Sequence, residues 1–300
     1  MMIILNRRLP EGIRSFLTFA GFHYWTASLL PPLVGTTLPF WLRPPGFSFR
    51  LPAAIEFLFA TLLVHAGFSF LLALFEDKAM ATWTKLRLLM GAGVCIIVAC
   101  LLGLHLKSGL TLHYGVPRST FIIYGLITLF VGALYVIPPL NFYRRMGGEI
   151  VVAEGLGMIP VLGAYLVQVG DLTRTVYLAS LPLVVATGLW VWLEELASKS
   201  DDEKMGRRTL VIDFGLKFSA RFGVLALAVA FFGTIIVAVV PASTSPLTLI
   251  ALLVIGPMWK IVSISWSEYA CPERMITLGR YAFVLHLVTG MIVAVSSLVI

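Results

Sequence analysis

Long apolar runs alternate with short polar segments along the whole chain. The runs cover residues 17–41, 52–75, 87–106, 119–139, 150–169, 174–193, 221–240, 246–264 and 281–300. Each holds about 20 residues, the length of helix that crosses the hydrocarbon core of a bilayer. A backbone in lipid must pair its own polar groups, so such runs fold as helices. The strict alternation of a membrane β-barrel strand is absent. The expected fold class is an all-α integral membrane protein, with nine transmembrane helices in one transmembrane domain over residues 1–300.

Composition supports that class. Charged residues make up 12% of the chain and hydrophobic ones 59%, where a soluble domain carries about 25% charged residues. The polar segments then set the orientation. With the N-terminus inside, Arg43, Arg50, Lys107, Arg118 and Arg174 fall outside, and the remaining seventeen of the 22 Lys and Arg residues fall inside. That asymmetry obeys the positive-inside rule, and an odd span count puts the C-terminus outside. It also accounts for the net charge of +7 without nucleic acid, which is excluded as a partner; membrane lipids are the expected surroundings. The first residues, MMIILNRRLPEG, lack the layout of a cleaved signal peptide. The expected localisation is a multi-pass protein of a bacterial inner (cytoplasmic) membrane.

Within the spans, polar residues are few. His65 and His286 are expected to face the bundle and to hydrogen-bond a neighbouring helix. Gly155, Gly157, Gly163 and Ala164 allow close helix approach. Cys95 and Cys100 lie five apart on one helix without facing each other and are expected to be small core residues, without a metal or disulfide role. The groups capable of chemistry gather on three inner segments: FEDKA after span two, NFYRRMGGE after span four, and EELASKSDDEKMGRR (Glu194 to Arg208) after span six. The last is expected as a polar loop, with a short helix starting after Ser200. Acids and bases concentrated at membrane-helix ends suit phosphate or metal chemistry, and equally suit a solvated loop.

Tyr135 to Gly170 reads YVIPPLNFYRRMGGEIVVAEGLGMIPVLGAYLVQVG. This segment resembles the middle of the UbiA superfamily of intramembrane aromatic prenyltransferases, closest to the menaquinone-pathway dihydroxynaphthoate polyprenyltransferases. The carrying residues are Tyr135, Pro138-Pro139, Arg144-Arg145, Gly148-Glu149 and the series Gly157, Pro160, Gly163, Tyr165, Gln168, Gly170. GRRTLVIDFG (Gly206 to Gly215) is similar to the family's segment after helix six, and ASLLPPLVGTTL (Ala27 to Leu38) to its first helix. The resemblance implies a UbiA-type nine-helix bundle. It also implies two acidic motifs that bind Mg²⁺, which bridges to the diphosphate of a polyprenyl donor during transfer to an aromatic acceptor.

Carried over residue by residue, the implied metal ligands are Glu76, Glu194, Glu195 and Asp202. The implied diphosphate-binding residues are Lys78, Arg144, Arg145, Lys204, Arg207 and Arg208. The resemblance assigns no catalytic residue. The sequence departs from the family pattern at several points. The Asn-Asp pair of the first motif falls on Leu72 and Ala73, and the next acid is Glu76. In the second motif the usual Asn-Glu is Glu194-Glu195, the first key Asp falls on Ser198, and the second is Asp202. The family's basic residue near the start of span one falls among Gly21 to His23. Leucine and alanine cannot ligate a metal.

Two functions follow. One is Mg²⁺-dependent prenyl transfer in quinone-type biosynthesis, from a polyprenyl diphosphate. The other is a non-catalytic relative without a cofactor. It would hold an isoprenoid quinone or pigment tail, or serve as a subunit of a larger membrane complex. A transporter, with broken helices around a midplane site, is a third and weaker reading.

Overall fold

The computed structural model describes residues 25–76, 80–114 and 118–299, and among them every regular element is helical. The long helices are α1 (Trp25–Leu42), α2 (Leu51–Glu76), α3 (Thr82–Tyr114), α4 (Arg118–Val136), α5 (Gly148–Val169) and α6 (Arg174–Lys204). A short α7 (Leu210–Phe214) precedes α8 (Leu216–Val239), α9 (Pro246–Ser267) and α10 (Pro272–Ser296). Eight of these helices are long and apolar enough to span a bilayer, and the apolar part of α1 is shorter, Ala27–Leu42. The expected first span begins at residue 17, outside the described residues, as do Arg7, Arg8, Arg14 and the Gly21 to His23 position.

Several helices outrun their apolar cores. Hydropathy reports the stretch that suits lipid, while the helix continues until a residue stops it. The clearest case is α6, and it corrects the expectation of a loop over Glu194 to Arg208. The helix runs unbroken through Ser200 to Lys204. Glu, Lys and Ala are good helix formers. Lys199 pairs with Glu203 and Lys204 with Asp201 along the helix surface. Gly206 then takes a left-handed φ of 70° and ends it, as glycine commonly does after a helix. The last span likewise begins at Pro272 rather than near 281.

The helix at the centre is α6. Val176, Ala179, Leu183, Ala186, Leu189 and Leu193 are fully buried along it. The largest apolar cluster joins it to α8, α9 and α10, and a second joins it to α1, α5 and α10. The other half of the bundle is looser. There α2 and α3 pack as a hairpin through Ala66, Phe70, Leu88 and Ala92. Only Phe121 and Val136 of α4 are buried apolar side chains. A cavity opens between this looser half and the tight one.

Close approaches hold the tight half. A Cβ on Gly157 would lie 2.7 Å from the Val184 backbone of α6, and one on Gly163 would strike Tyr124 and Phe57. Gly157→Val therefore forces α5 from α6. Overpacking of this kind costs about 1–3 kcal/mol, read as a lower melting temperature in detergent; an unchanged melt would show that the contact is not tight. The expected role of small residues in this span is thus met at both positions. The two histidines also behave as expected: Ser28 Oγ lies 2.7 Å from His65 Nδ1, and Thr187 Oγ1 lies 3.1 Å from His286 Nδ1. Cys95, Cys100 and Cys271 are free thiols, but Cys95 is half-buried and Cys100 exposed on the loosely packed α3, so the expectation of two core residues is not met.

Candidate functional site

Residues on one face of α2 recur every three or four positions: Ser69, Leu72, Ala73 and Glu76. That spacing aligns them along a single helix stripe. Across from them, α6 presents Trp190, Val191, Glu194, Glu195 and Ser198 at the same period. The wall between is completed by α3, α4, α5 and the turn after α4. At Glu154–Met158 the helical repeat of α5 widens to a π turn, which lets Gly155 and Leu156 face the space. Such π segments recur at functional sites.

The cavity is partly open and about 1070 Å³, at the upper end for small-molecule sites. It is lined along α2 from Phe57 to Glu76, which at about 1.5 Å rise per residue is about 28 Å of helix. Its walls are apolar for most of that length, and Phe57, Leu106 and Phe121 belong to the cluster that closes the far end. Lys107 lies near that end. At the opposite end, the mouth, the polar groups converge.

Glu76 ends α2 and accepts a 2.8 Å hydrogen bond from the Tyr143 hydroxyl. Burial, with the neighbouring Glu76 charge, holds the Tyr143 phenol well above its ordinary pKa against the opposing pull of Arg207. It stays protonated at neutral pH and can donate. Trp190 Nε1 donates to Glu194 Oε1 at 2.8 Å. Glu195 is nine-tenths buried; no N–H reaches its Oε2, and its carboxyl hydrogen-bonds that of Glu149. Glu149, also buried, adjoins it.

Arg207 knots the mouth together. Its Nη1 donates to Asp202 Oδ1 at 2.6 Å, while Nε and Nη2 both donate to the Tyr143 carbonyl at 3.1 and 3.0 Å. Its guanidinium also stacks 4.0 Å from the Tyr143 ring centre. The second oxygen of Asp202 accepts from Ser198 at 2.8 Å. Glu149 ties the same two turns: its oxygens accept from Gly147 N and from Leu210 N at the start of α7. The Arg208 amide donates to the Arg144 carbonyl at 2.9 Å.

The sequence-derived candidates therefore separate. Glu76, Glu194, Glu195 and Arg207 line the cavity. Asp202 sits behind Arg207, almost fully buried, with both oxygens engaged. Arg145, Lys204 and Arg208 are exposed and Arg144 half-buried, and none of the four lines the cavity. Lys78, with Asp77, lies outside the described residues. Leu72 and Ala73 do face the cavity.

Sequence reasoning gave no role to Tyr143, Glu149 or Ser198. Tyr143 and Glu149 lie inside the Tyr135 to Gly170 segment that carries the family resemblance, and Ser198 at a position where the second motif departs from it. Their signal was position next to the basic and acidic residues, without any indication of partners.

Among the described residues, no group of three or more His, Cys, Asp or Glu side chains is disposed to hold a metal ion. Of the implied ligands, Asp202 is spent on Arg207 and Ser198, Glu76 binds Tyr143, Glu194 accepts from Trp190, and Glu195 hydrogen-bonds Glu149. Leu72 and Ala73 add no ligand on the facing wall. Among the described residues, the donors do not fit a pair of Mg²⁺ ions.

The described helices thus surround a long, mostly apolar cavity with acidic residues at one end. The sequence model of the UbiA prenyltransferase family matches residues 83–274, and the chain belongs to that family. It is a multi-pass integral membrane protein. No curated protein matches its sequence.

Solved structures share the fold. A structure described as digeranylgeranylglyceryl phosphate synthase in membranes superposes with a TM-score of 0.67 at 11% identity, over 97% of this chain and 100% of that one. A UbiA homologue from Archaeoglobus fulgidus bound to Cd²⁺ superposes at 0.59 and 15% identity, over 93% and 98%. The homologue from that organism bound to GPP and Mg²⁺ superposes at 0.58 and 16%, over 90% and 98%. At these identities the likeness shows the fold alone.

Proposed function

We propose that this chain binds an isoprenoid lipid, with the tail along the apolar cavity and the polar head at the Glu76–Glu195–Arg207 mouth, and that metal-assisted prenyl transfer has lapsed in it. The observation that carries the reading is the mouth itself. Two apolar side chains, Leu72 and Ala73, stand on the α2 wall, and the Arg207 guanidinium there gives three of its N–H groups to Asp202 and Tyr143. An allylic diphosphate needs charge stabilisation as it leaves, which metals or free cations supply. Relatives in the fold bind GPP with Mg²⁺ and DMAPP with Mg²⁺, which supports a prenyl-shaped guest. On this reading the mouth faces the cytoplasm, in a single transmembrane domain of nine helices.

Prenyl transfer to an aromatic acceptor of the dihydroxynaphthoate type is the second reading. Glu76 and Glu195 favour it, since they face one mouth from two helices.

One experiment separates the two. The purified chain is given geranylgeranyl diphosphate, dihydroxynaphthoate and Mg²⁺, and diphosphate release is measured beside lipid extracted from the protein. Co-purifying isoprenoid without release is expected. Metal-dependent release, abolished by Glu195→Ala, would establish transfer instead.

The far end of the cavity sets the length of the guest. Phe57→Ala removes the side chain that closes it with Phe121. The variant is expected to take a tail about one isoprene unit longer with affinity close to that of the parent for its own guest, because burial contributes about 25 cal/mol per Å² of added apolar contact. Unchanged length preference among C15, C20 and C25 guests would place the floor elsewhere.

A further inference from the structure

We infer that the outer surface of the bundle, at its mouth end, carries a site for an anionic phospholipid. The phosphate lies between Lys217 and Arg221 of α8, and the first methylenes of the acyl chains lie over the rings of Phe218, Phe222 and Trp266. None of these residues lines the cavity, so the site stands whatever the cavity holds. The start of α8 widens to a π turn over Ser219–Gly223. Its repeat shows in the ring contacts: Phe214 meets Phe218 at 5.8 Å between centres, and Phe218 meets Phe222 at 5.3 Å, four residues apart each time. Trp266, near the end of α9, extends the row at 5.5 Å from Phe222. Phe214, Phe218 and Phe222 are each about half exposed. Exposed rings at the end of a spanning helix sit at headgroup level, as in the aromatic belts of membrane proteins. The same period of four puts Lys217 and Arg221 on one stripe beside that row.

Arg221 is held in place and still has groups to give. Its Nε donates to the Trp266 carbonyl at 3.0 Å, and its guanidinium lies 5.4 Å from the ring centres of both Trp266 and Tyr269. Contacts of that kind fix the guanidinium by attraction to the ring faces. Its Nη1 and Nη2 make no hydrogen bond or ion pair among the described residues, and neither does Lys217 Nζ. Two terminal amino groups on a planar fork match a phosphate bidentately. Lysine on the same stripe adds a second charge, and each cation near a membrane surface favours anionic lipid. Of the three acids in residues 208–222 and 266–274, Asp213 pairs with Arg208 and Glu268 with Arg274, which leaves Glu273 against Lys217 and Arg221. The Ser219 carbonyl of the same π turn accepts from Trp192 Nε1 of α6 at 3.0 Å, so a lipid held here braces that turn against the central helix.

The test uses the full chain in mild detergent and native mass spectrometry, which counts bound lipids by mass. Dioleoyl phosphatidylglycerol and dioleoyl phosphatidylcholine, with the same acyl chains and different net charge, are titrated separately. The anionic lipid is expected to bind about twentyfold more tightly, the product of about fivefold for each of two surface cations. Lys217→Gln should lower that preference about fivefold and leave phosphatidylcholine binding unchanged. The Lys217→Gln/Arg221→Gln double variant should erase it, and Phe218→Ala should weaken both lipids alike. Lys217 is exposed and makes no hydrogen bond or ion pair, so its variant decides the question even where Arg221→Gln unfolds the turn. Equal binding of the two lipids by the parent chain, or a preference that survives Lys217→Gln undiminished, would overturn the inference. Displacement of the lipid by sodium phosphate at the same concentration would make the ligand a free anion and overturn the lipid assignment; no displacement is expected. A dimer in the same spectrum that Phe218→Ala dissociates would make a second copy of the chain the occupant and overturn it too.

Discussion

Arg207→Ala is expected to destabilise the bundle by about 3–5 kcal/mol, the cost of removing one partner from a buried ion pair. Asp202 is 1% exposed. Without the guanidinium its carboxylate keeps only the Ser198 hydroxyl. The same substitution strips two donors from the Tyr143 carbonyl and the cation from its ring. Those contacts join the turn after α4 to the turn after α6, so the loss extends beyond one pair. Thermal unfolding in detergent reads it. The control is the Arg207→Ala/Asp202→Asn double variant, which removes the stranded charge and should recover part of the loss; non-additivity of this kind is what coupled neighbours show. A single variant that melts like the parent would mean the network is not what closes the mouth.

The second large effect is a gain. Leu72→Asn/Ala73→Asp places an amide and a carboxylate on the cavity wall that α2 shares with Glu76, opposite Glu195. Mg²⁺ takes one or two carboxylates together with phosphate oxygens. The double variant is therefore expected to bind geranylgeranyl diphosphate at least about tenfold more tightly with Mg²⁺ than with EDTA, since one such contact exceeds about 1.4 kcal/mol. In the parent chain Mg²⁺ should change that affinity little. A strong Mg²⁺ effect in the parent would show that Glu76 and Glu195 already suffice, and would favour the prenyl-transfer reading.

Much of the architecture was legible in the chain, for a simple reason. Spanning helices answer to a local constraint, the pairing of every backbone group in lipid, so an apolar run of sufficient length declares its own structure. Positions on a stripe are legible too: Leu72, Ala73 and Glu76 share a face by helical spacing alone, and they do line one wall. Where a helix carries charge past its apolar run, the same reading fails. The Glu194 to Lys204 segment is polar enough to pass for a loop, yet continues α6, because helix propensity and side-chain pairs do not depend on hydropathy.

The sequence by itself determined the class: an all-helical membrane chain, its small-residue contacts, its two helix-bridging histidines and the departures from the family's acidic pattern. The tertiary structure decided which charges face the guest. Ten candidate residues look alike in one dimension, but the meeting of two turns commits Arg207 to Asp202 and Tyr143 and turns Arg145, Lys204 and Arg208 outward. It also brings Glu149 beside Glu195, 46 positions apart in sequence by their numbers. Such pairings depend on how helices from distant parts of the chain pack, and no local pattern encodes that distance.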